Sequence, residues 1–206
     1  MKRREFITLL GGAAAAWPLA ARAQNGKAPI RLGFVPLGSP SNAYDRSLVD
    51  AFRQGLREVG VVEGRDVALD VVWISSEPDA SQAVSGLIQR GARLLIPAGS
   101  TASVAVKRQT STIPILFVSV GNPVGMGLVT SLSRPNSNAT GFADVLSDLS
   151  SKYVELAREL TKSNMTIDYL WHTGWPDGKP RRLATEQAAQ SLGVKLRSWG
   201  MGTPMK

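Results

Sequence analysis

The sequence has no cysteine, a single histidine (His172), few aromatics and no apolar run long enough for a membrane span. Without cysteine there is no disulfide scaffold, thiol nucleophile or zinc–thiolate site. One histidine excludes chemistry that needs a histidine pair. Aromatic residues make up 6% of the 206 residues, charged residues 19% and apolar residues 43%. That balance excludes disordered, collagen-like and multi-span membrane classes. The length suits one domain or two small ones and can bury a substantial core. The formal net charge is +8. A basic balance raises the question of nucleic-acid or membrane partners, so the placement of the charge matters.

Much of that charge lies at the start of the chain. Lys2, Arg3 and Arg4 precede an apolar run from Phe6 to Ala16, and Ala21-Arg22-Ala23 closes the segment with small residues. This is the order of an export signal with an A-x-A cleavage site. Residues 1–23 are therefore expected to be a signal peptide, followed by a linker at 24–28. The apolar core is short and Pro18 interrupts it, which argues against a permanent anchor. Arg3-Arg4-Glu5-Phe6-Ile7 matches the twin-arginine pattern, and a general secretory signal is the alternative. The leader carries four cations less Glu5, so the chain from Gln24 keeps a net +5. Its cations are scattered, with no basic stripe interleaved with aromatics. No nucleic-acid partner is expected.

From Ile30 onward, apolar strand-like runs alternate with helical patterns. Strands are expected at Ile30–Val35, Val67–Ile74, Leu94–Ile96, Ile113–Val118 and Ala139–Phe142. Between them, Tyr44, Leu48, Phe52, Leu56 and Val59 recur at helical spacing. Asp79 is placed to cap a second helix, and Gly99-Ser100-Thr101 opens a third. A short helix is expected near Leu128–Leu132. Pro114 points to an edge strand or to a strand's first residues. The runs are apolar throughout rather than alternating, as in a parallel sheet covered on both faces. The expected fold is α/β, a doubly wound parallel sheet over residues 29–142. A partial second α/β unit is expected over 143–206. It comprises a helix at Ser151–Leu160, a strand at Thr166–Trp171, a loop at Trp171–Pro180, a helix at Leu183–Leu192 and a strand at Val194–Trp199.

Ligands of open α/β sheets sit beyond the carboxyl ends of the strands. There Ser100 and Thr101 offer hydroxyls and helix N-terminal N–H groups suited to a small anion. Plain helix capping is the other reading of the same residues. The glycine-rich stretch Gly121–Gly127 has neither a P-loop ending nor a dinucleotide fingerprint. Ala98-Gly99-Ser100-Thr101-Ala102 lacks the closing glycine of a nucleophile elbow. Tyr44, Trp73 and Phe117 fit the core better than a ligand. His172 has no carboxylate near it in sequence. Neither catalytic residues, nor a metal site, nor a cofactor is expected, and the chain does not read as an enzyme.

Several segments, taken in order, resemble the exported substrate-binding proteins of ABC transporters of the tryptophan/tyrosine type. They are the leader Met1–Gln24, then Phe52–Gly60, Val62–Val67 and Ala98–Thr101. Further on come Thr112–Ile115, Gly121–Gly125, Leu132–Pro135 and Asn138–Phe142, with Gln187–Val194 at the end of the matching set. The resemblance implies a type I periplasmic-binding-protein-like fold, with two α/β lobes about a hinge and a small solute between them. It implies a periplasmic receptor that delivers a solute such as an amino acid to an ABC transporter permease. By position, Ser39, Ser41, Ser100, Thr101 and Asn122 fall in the loops expected to hold the ligand. The chain departs from the family in stopping short of a full second lobe. It departs again at Tyr169–Trp175, which replaces a regular strand and an Asn-Pro-type loop. A truncated, non-binding remnant and an exported α/β enzyme are the competing readings.

Overall fold

Five apolar runs form one sheet: β1 (Ile30–Pro36), β2 (Val67–Val71), β3 (Leu94–Ala98), β4 (Ile115–Val120) and β5 (Ala139–Ala143). The computed structural model describes residues 28–75, 77–144, 149–161 and 165–202. The expected leader at 1–23 lies outside the described residues. All pairings are parallel, in the order β2-β1-β3-β4-β5. The winding therefore reverses between β1 and β3, as in a doubly wound sheet. Helices α1 (Ala43–Glu58), α2 (Glu77–Gln89) and α3 (Ser100–Gln109) make the crossovers.

Burial explains the unbroken apolar runs. Neighbouring Leu95 and Ile96 point to opposite faces, and both are buried. On one face Val35, Leu95 and Ile115 meet Val84 and Leu87 of α2 and Ala102, Ala105 and Val106 of α3. On the other, Leu32, Phe34 and Ile96 meet α1 through Val49, Phe52 and Leu56. There the Phe34 and Phe52 rings stack with centroids 4.9 Å apart. Asn42 starts α1 by accepting from the backbone N–H groups of Tyr44 and Asp45.

A second α/β unit follows, made of α4 (Ser150–Leu160), β6 (Thr166–His172), α5 (Gly178–Ser191) and β7 (Lys195–Met201). Its two strands pair in parallel from Thr166↔Lys195 to His172↔Met201. Val154 of α4 and Ala188 and Ala189 of α5 form its small buried centre. Leu170, Trp199 and Met201, on the opposite face of this sheet, are exposed.

The structure corrects several local expectations. The buried stripe of α1 runs through Val49, Phe52 and Leu56, while Tyr44, Leu48 and Val59 are exposed. Helix α2 begins at Glu77, so Asp79 lies in its first turn. Its carboxylate accepts from the N–H and hydroxyl of Ser75 instead of serving as N-cap. Leu128–Leu132 is bent, irregular chain, not a helix, although Leu128 and Val129 are buried as a helical residue would be. Pro114 precedes β4, which is an internal strand, so the missing N–H costs no ladder bond. Residues 171–180 are not one loop. Strand β6 continues to His172 and α5 starts at Gly178, five residues before the expected Leu183. Pro180 fits because it stands in the first helical turn, where the N–H has no intrahelical partner. Strand β7 likewise extends to Met201.

Candidate functional site

The carboxyl ends of four strands converge on one cleft of ≈ 270 Å³. Leu37 follows β1, Gly99, Ser100 and Thr101 follow β3, Ser119 and Gly121 lie at the end of β4, and Asp144 follows β5. The far wall comes from the second unit: Trp175 in the turn after β6, then Asp177 and Arg181 at the start of α5. The place is the reversal point of strand order, where open α/β sheets hold ligands. The volume lies just below the range of drug-sized sites, about 300–1,000 Å³, and matches a small solute.

Helix α3 points its N-terminus at the cleft. Its N-cap is Gly99, with φ 92°, and no side-chain hydrogen bond caps the helix. The capping role open to Ser100 and Thr101 is therefore not taken, and both line the cleft. The first-turn N–H groups of a helix have no intrahelical acceptor, and the macrodipole adds partial positive charge there. Ser103, one turn on and fully buried, bonds through its hydroxyl to the Gly99 carbonyl at 2.7 Å and holds this turn in shape.

Carboxylates gather on the other side. A Cβ on Gly121 would lie 2.9 Å from Asp177 Oδ2 and 3.4 Å from Asp144 Oδ1. Both acids therefore lie against the bare backbone of Gly121, and any side chain there would displace Asp177. Asp177 is only 8% exposed. Arg181 Nη1 is 3.8 Å from Asp177 Oδ2, one helical turn away. The cleft thus sets helix N–H groups and hydroxyls against two carboxylates and one guanidinium. Among the described residues there is no group of histidine or acidic side chains able to hold a metal ion.

Ser119 stands out for its backbone. Its φ is 56°, and the β4–β5 register shifts between Val118 and Val120. The irregularity turns this residue into the cleft, a common role of bulges beside sites.

The structure brings Ser100 and Thr101 into the cleft lining, while Ser39, Ser41 and Asn122 stand outside it. Ser39 and Ser41 occupy the loop after β1, and their hydroxyls bond each other at 2.8 Å. The Ser39 N–H donates to Asp45 of α1 at 2.9 Å. Asn122 follows β4 at the same end of the sheet, and its Oδ1 accepts from the Gly125 N–H at 2.8 Å. Sequence reasoning missed Ser119, Gly121, Asp144, Trp175, Asp177 and Arg181. The first three follow expected strands and were within reach of the rule that pointed to Ser100. The last three stood in a stretch whose glycines and prolines read as loop. The Asp177-Gly178-x-Pro180 order, with proline in a first turn, was the available helix-start signal.

The sequence model of the family described as ABC transporter substrate binding protein matches residues 41–199. The chain belongs to that family. Over 129 residues it is 30% identical to a tyrosine-binding protein of Clostridioides difficile (strain R20291), covering 62% of this chain and 37% of that protein. A Streptococcus pneumonia ABC domain solved in complex with L-Trp superposes with a TM-score of 0.73 at 21% identity. The match covers 84% of this chain and 57% of that one. A conserved domain protein of Vibrio cholerae gives a TM-score of 0.72 at 24% identity, covering 85% of this chain and 58% of that one. The fold is that of type I periplasmic binding proteins. The chain spans little more than a third of the curated relative's length and somewhat over half of the two solved structures. The family is described as one of substrate-binding proteins.

Proposed function

We propose that the cleft binds a free amino acid as its zwitterion, and that the protein hands this solute to an ABC transporter permease. One observation carries the reading. The N-terminus of α3, which no side chain caps, faces with Ser100 and Thr101 the same small cavity as Asp144 and Asp177. An α-carboxylate suits the helix end. An α-ammonium suits the carboxylates. Similarity to proteins described as binding tyrosine and tryptophan supports the amino-acid class. In this reading Ser100 and Thr101 contact the ligand, while Ser39, Ser41 and Asn122 shape the loops around it. Residues 1–23 act as the export signal, by the twin-arginine route, and the chain works in the periplasm.

A thermal-shift series tests the zwitterion. L-tyrosine and L-tryptophan are expected to raise the melting temperature of the chain, whereas tyramine and N-acetyl-tyrosine, each lacking one charge, do not. A ligand present at about 100 times its dissociation constant adds about 2.7 kcal/mol of stability, which such a scan resolves. Equal shifts from tyrosine and tyramine, or no shift from any amino acid, would count against the proposal.

A further inference from the structure

The zwitterion accounts for only part of the cleft. Among its described lining residues, Leu37 and Trp175 are the two large apolar side chains, one from each α/β unit. We propose that Trp175 is a specificity-determining residue whose indole stacks on the side chain of the bound solute and selects an aromatic amino acid. This inference rests on the amino-acid reading of the same cleft. It adds the feature of the ligand that the first unit alone does not recognise.

The placement of Trp175 is over-determined by its turn. The Trp175 N–H donates to the His172 carbonyl at 3.4 Å, and its own carbonyl accepts from the Gly178 N–H at 3.0 Å. The Gly174 N–H donates to His172 Nδ1 at 3.1 Å. A Cβ on Gly178 would run into the His172 carbonyl, so only glycine lets α5 start this close to the end of β6. The Thr173 N–H donates to the Met201 carbonyl at 2.8 Å, which ties the turn to β7.

The imidazole of His172 then packs on the indole, with centroids 5.2 Å apart and planes 24° from parallel. A near-parallel stack covers one face of the indole. The residue nevertheless stays 52% exposed while lining the cavity. An indole held rigidly, backed by another ring and left open to a small cleft offers a planar surface at little cost in ligand-side ordering. Such surfaces favour offset-stacked rings over aliphatic chains. A solute ammonium over the ring is the competing use of an indole. Here Asp144 and Asp177 place carboxylates at the Gly121 end of the cleft, where an ammonium finds oxygen acceptors, and the indole is left for the side chain.

Calorimetric titration of the full chain, its Trp175→Ala variant and its Trp175→Phe variant tests this. The probes are L-tryptophan, L-tyrosine, L-leucine and L-alanine. Trp175→Ala is expected to weaken the two aromatic amino acids by about tenfold or more and to change alanine and leucine by no more than about twofold. Trp175→Phe is expected to restore most of the aromatic affinity, because it keeps a stacking ring. If the wild type takes aromatic amino acids alone, the loss in the alanine variant and its recovery in the phenylalanine variant carry the test. Equal losses for all four probes would overturn the assignment and place the indole on the shared zwitterionic group. Unchanged aromatic affinity in Trp175→Ala would also overturn it, while leaving the amino-acid reading intact. Binding of no amino acid by the wild type would overturn both. If the alanine variant does not fold, Trp175→Leu takes its place beside Trp175→Phe. A higher ratio of aromatic to leucine affinity in the phenylalanine variant then supports the stack, and equal ratios overturn it.

Discussion

Ser119 pays for its position in the cleft with a φ of 56°, a region where a side chain costs roughly 1–2 kcal/mol. Strain of this kind persists where the surroundings impose it, and it concentrates at binding sites. Ser119→Gly is therefore expected to stabilise the chain by about 1 kcal/mol, read as a higher melting temperature in calorimetry. The same variant removes a hydroxyl from the cleft lining and is expected to bind the solute more weakly. A lower melting temperature would show that the β4–β5 irregularity carries no strain. Gly121 makes the complementary case: it is required because Asp177 occupies the space a side chain would need. Neither property is visible in the sequence. A serine at a strand end and a glycine beside it look ordinary until the neighbours are in place.

At the scale of elements, the β6–β7 ladder carries an exposed cluster on its outer face. Asp168 accepts two bonds from Arg197, at 2.9 and 3.0 Å, and one from the Trp199 indole N–H at 2.8 Å. Chiefly the indole N–H, and then the Arg197 guanidinium, hold the Asp168 carboxyl below its ordinary value of 3.8. A carboxylate with a depressed folded value contributes stability above the unfolded value and loses it as pH falls through the folded one. The contribution is thus complete at neutral pH, starts to fade as pH drops towards 3.8, and is gone once Asp168 is protonated in the folded chain. The indole N–H resonance of Trp199 is expected to shift across that acid window in the wild type and to stay flat there in Asp168→Asn. Coincident titration curves for the two would remove Asp168 from the pairing. The helices and strands on either side of this cluster were largely legible from apolar spacing. The exceptions have physical causes. Leu128 and Val129 are buried in irregular chain packed on the core, and α5 tolerates Gly178 and Pro180 because both stand in its first turn.

Across the whole molecule, the two units differ sharply in what they bury. The five-stranded sheet has a core on each face, with Leu95, Ile96, Ile115 and Val35 at most 1% exposed. The two-stranded sheet is covered on one face by α4 and α5, with Val154, Ala188 and Ala189 as its buried centre. Local opening follows buried apolar contact. Amide exchange is expected to be slow across β1, β3 and β4 and at least about tenfold faster across β6 and β7, with solute slowing the second set more than the first. Uniform protection in both units would show that they open as one. The exposed Leu170, Trp199 and Met201 lie on the uncovered side of the weaker sheet, and they account for its lower expected protection.

The sequence by itself determined the class of the fold, the order of its strands along the chain and the loop that carries Ser100 and Thr101. It could do so because apolar runs, helical spacing and glycine stops are local, and because the ends of parallel strands share one side of a sheet whatever the details. Tertiary structure alone decided which loops face each other. Ser39 and Ser41 turned to one another, Asn122 closed its own turn, and the opposite wall came from Trp175, Asp177 and Arg181, more than 70 residues after Ser100 in the chain. A cleft between two packed units is made by the docking of surfaces far apart in sequence. No periodicity within either one encodes that meeting.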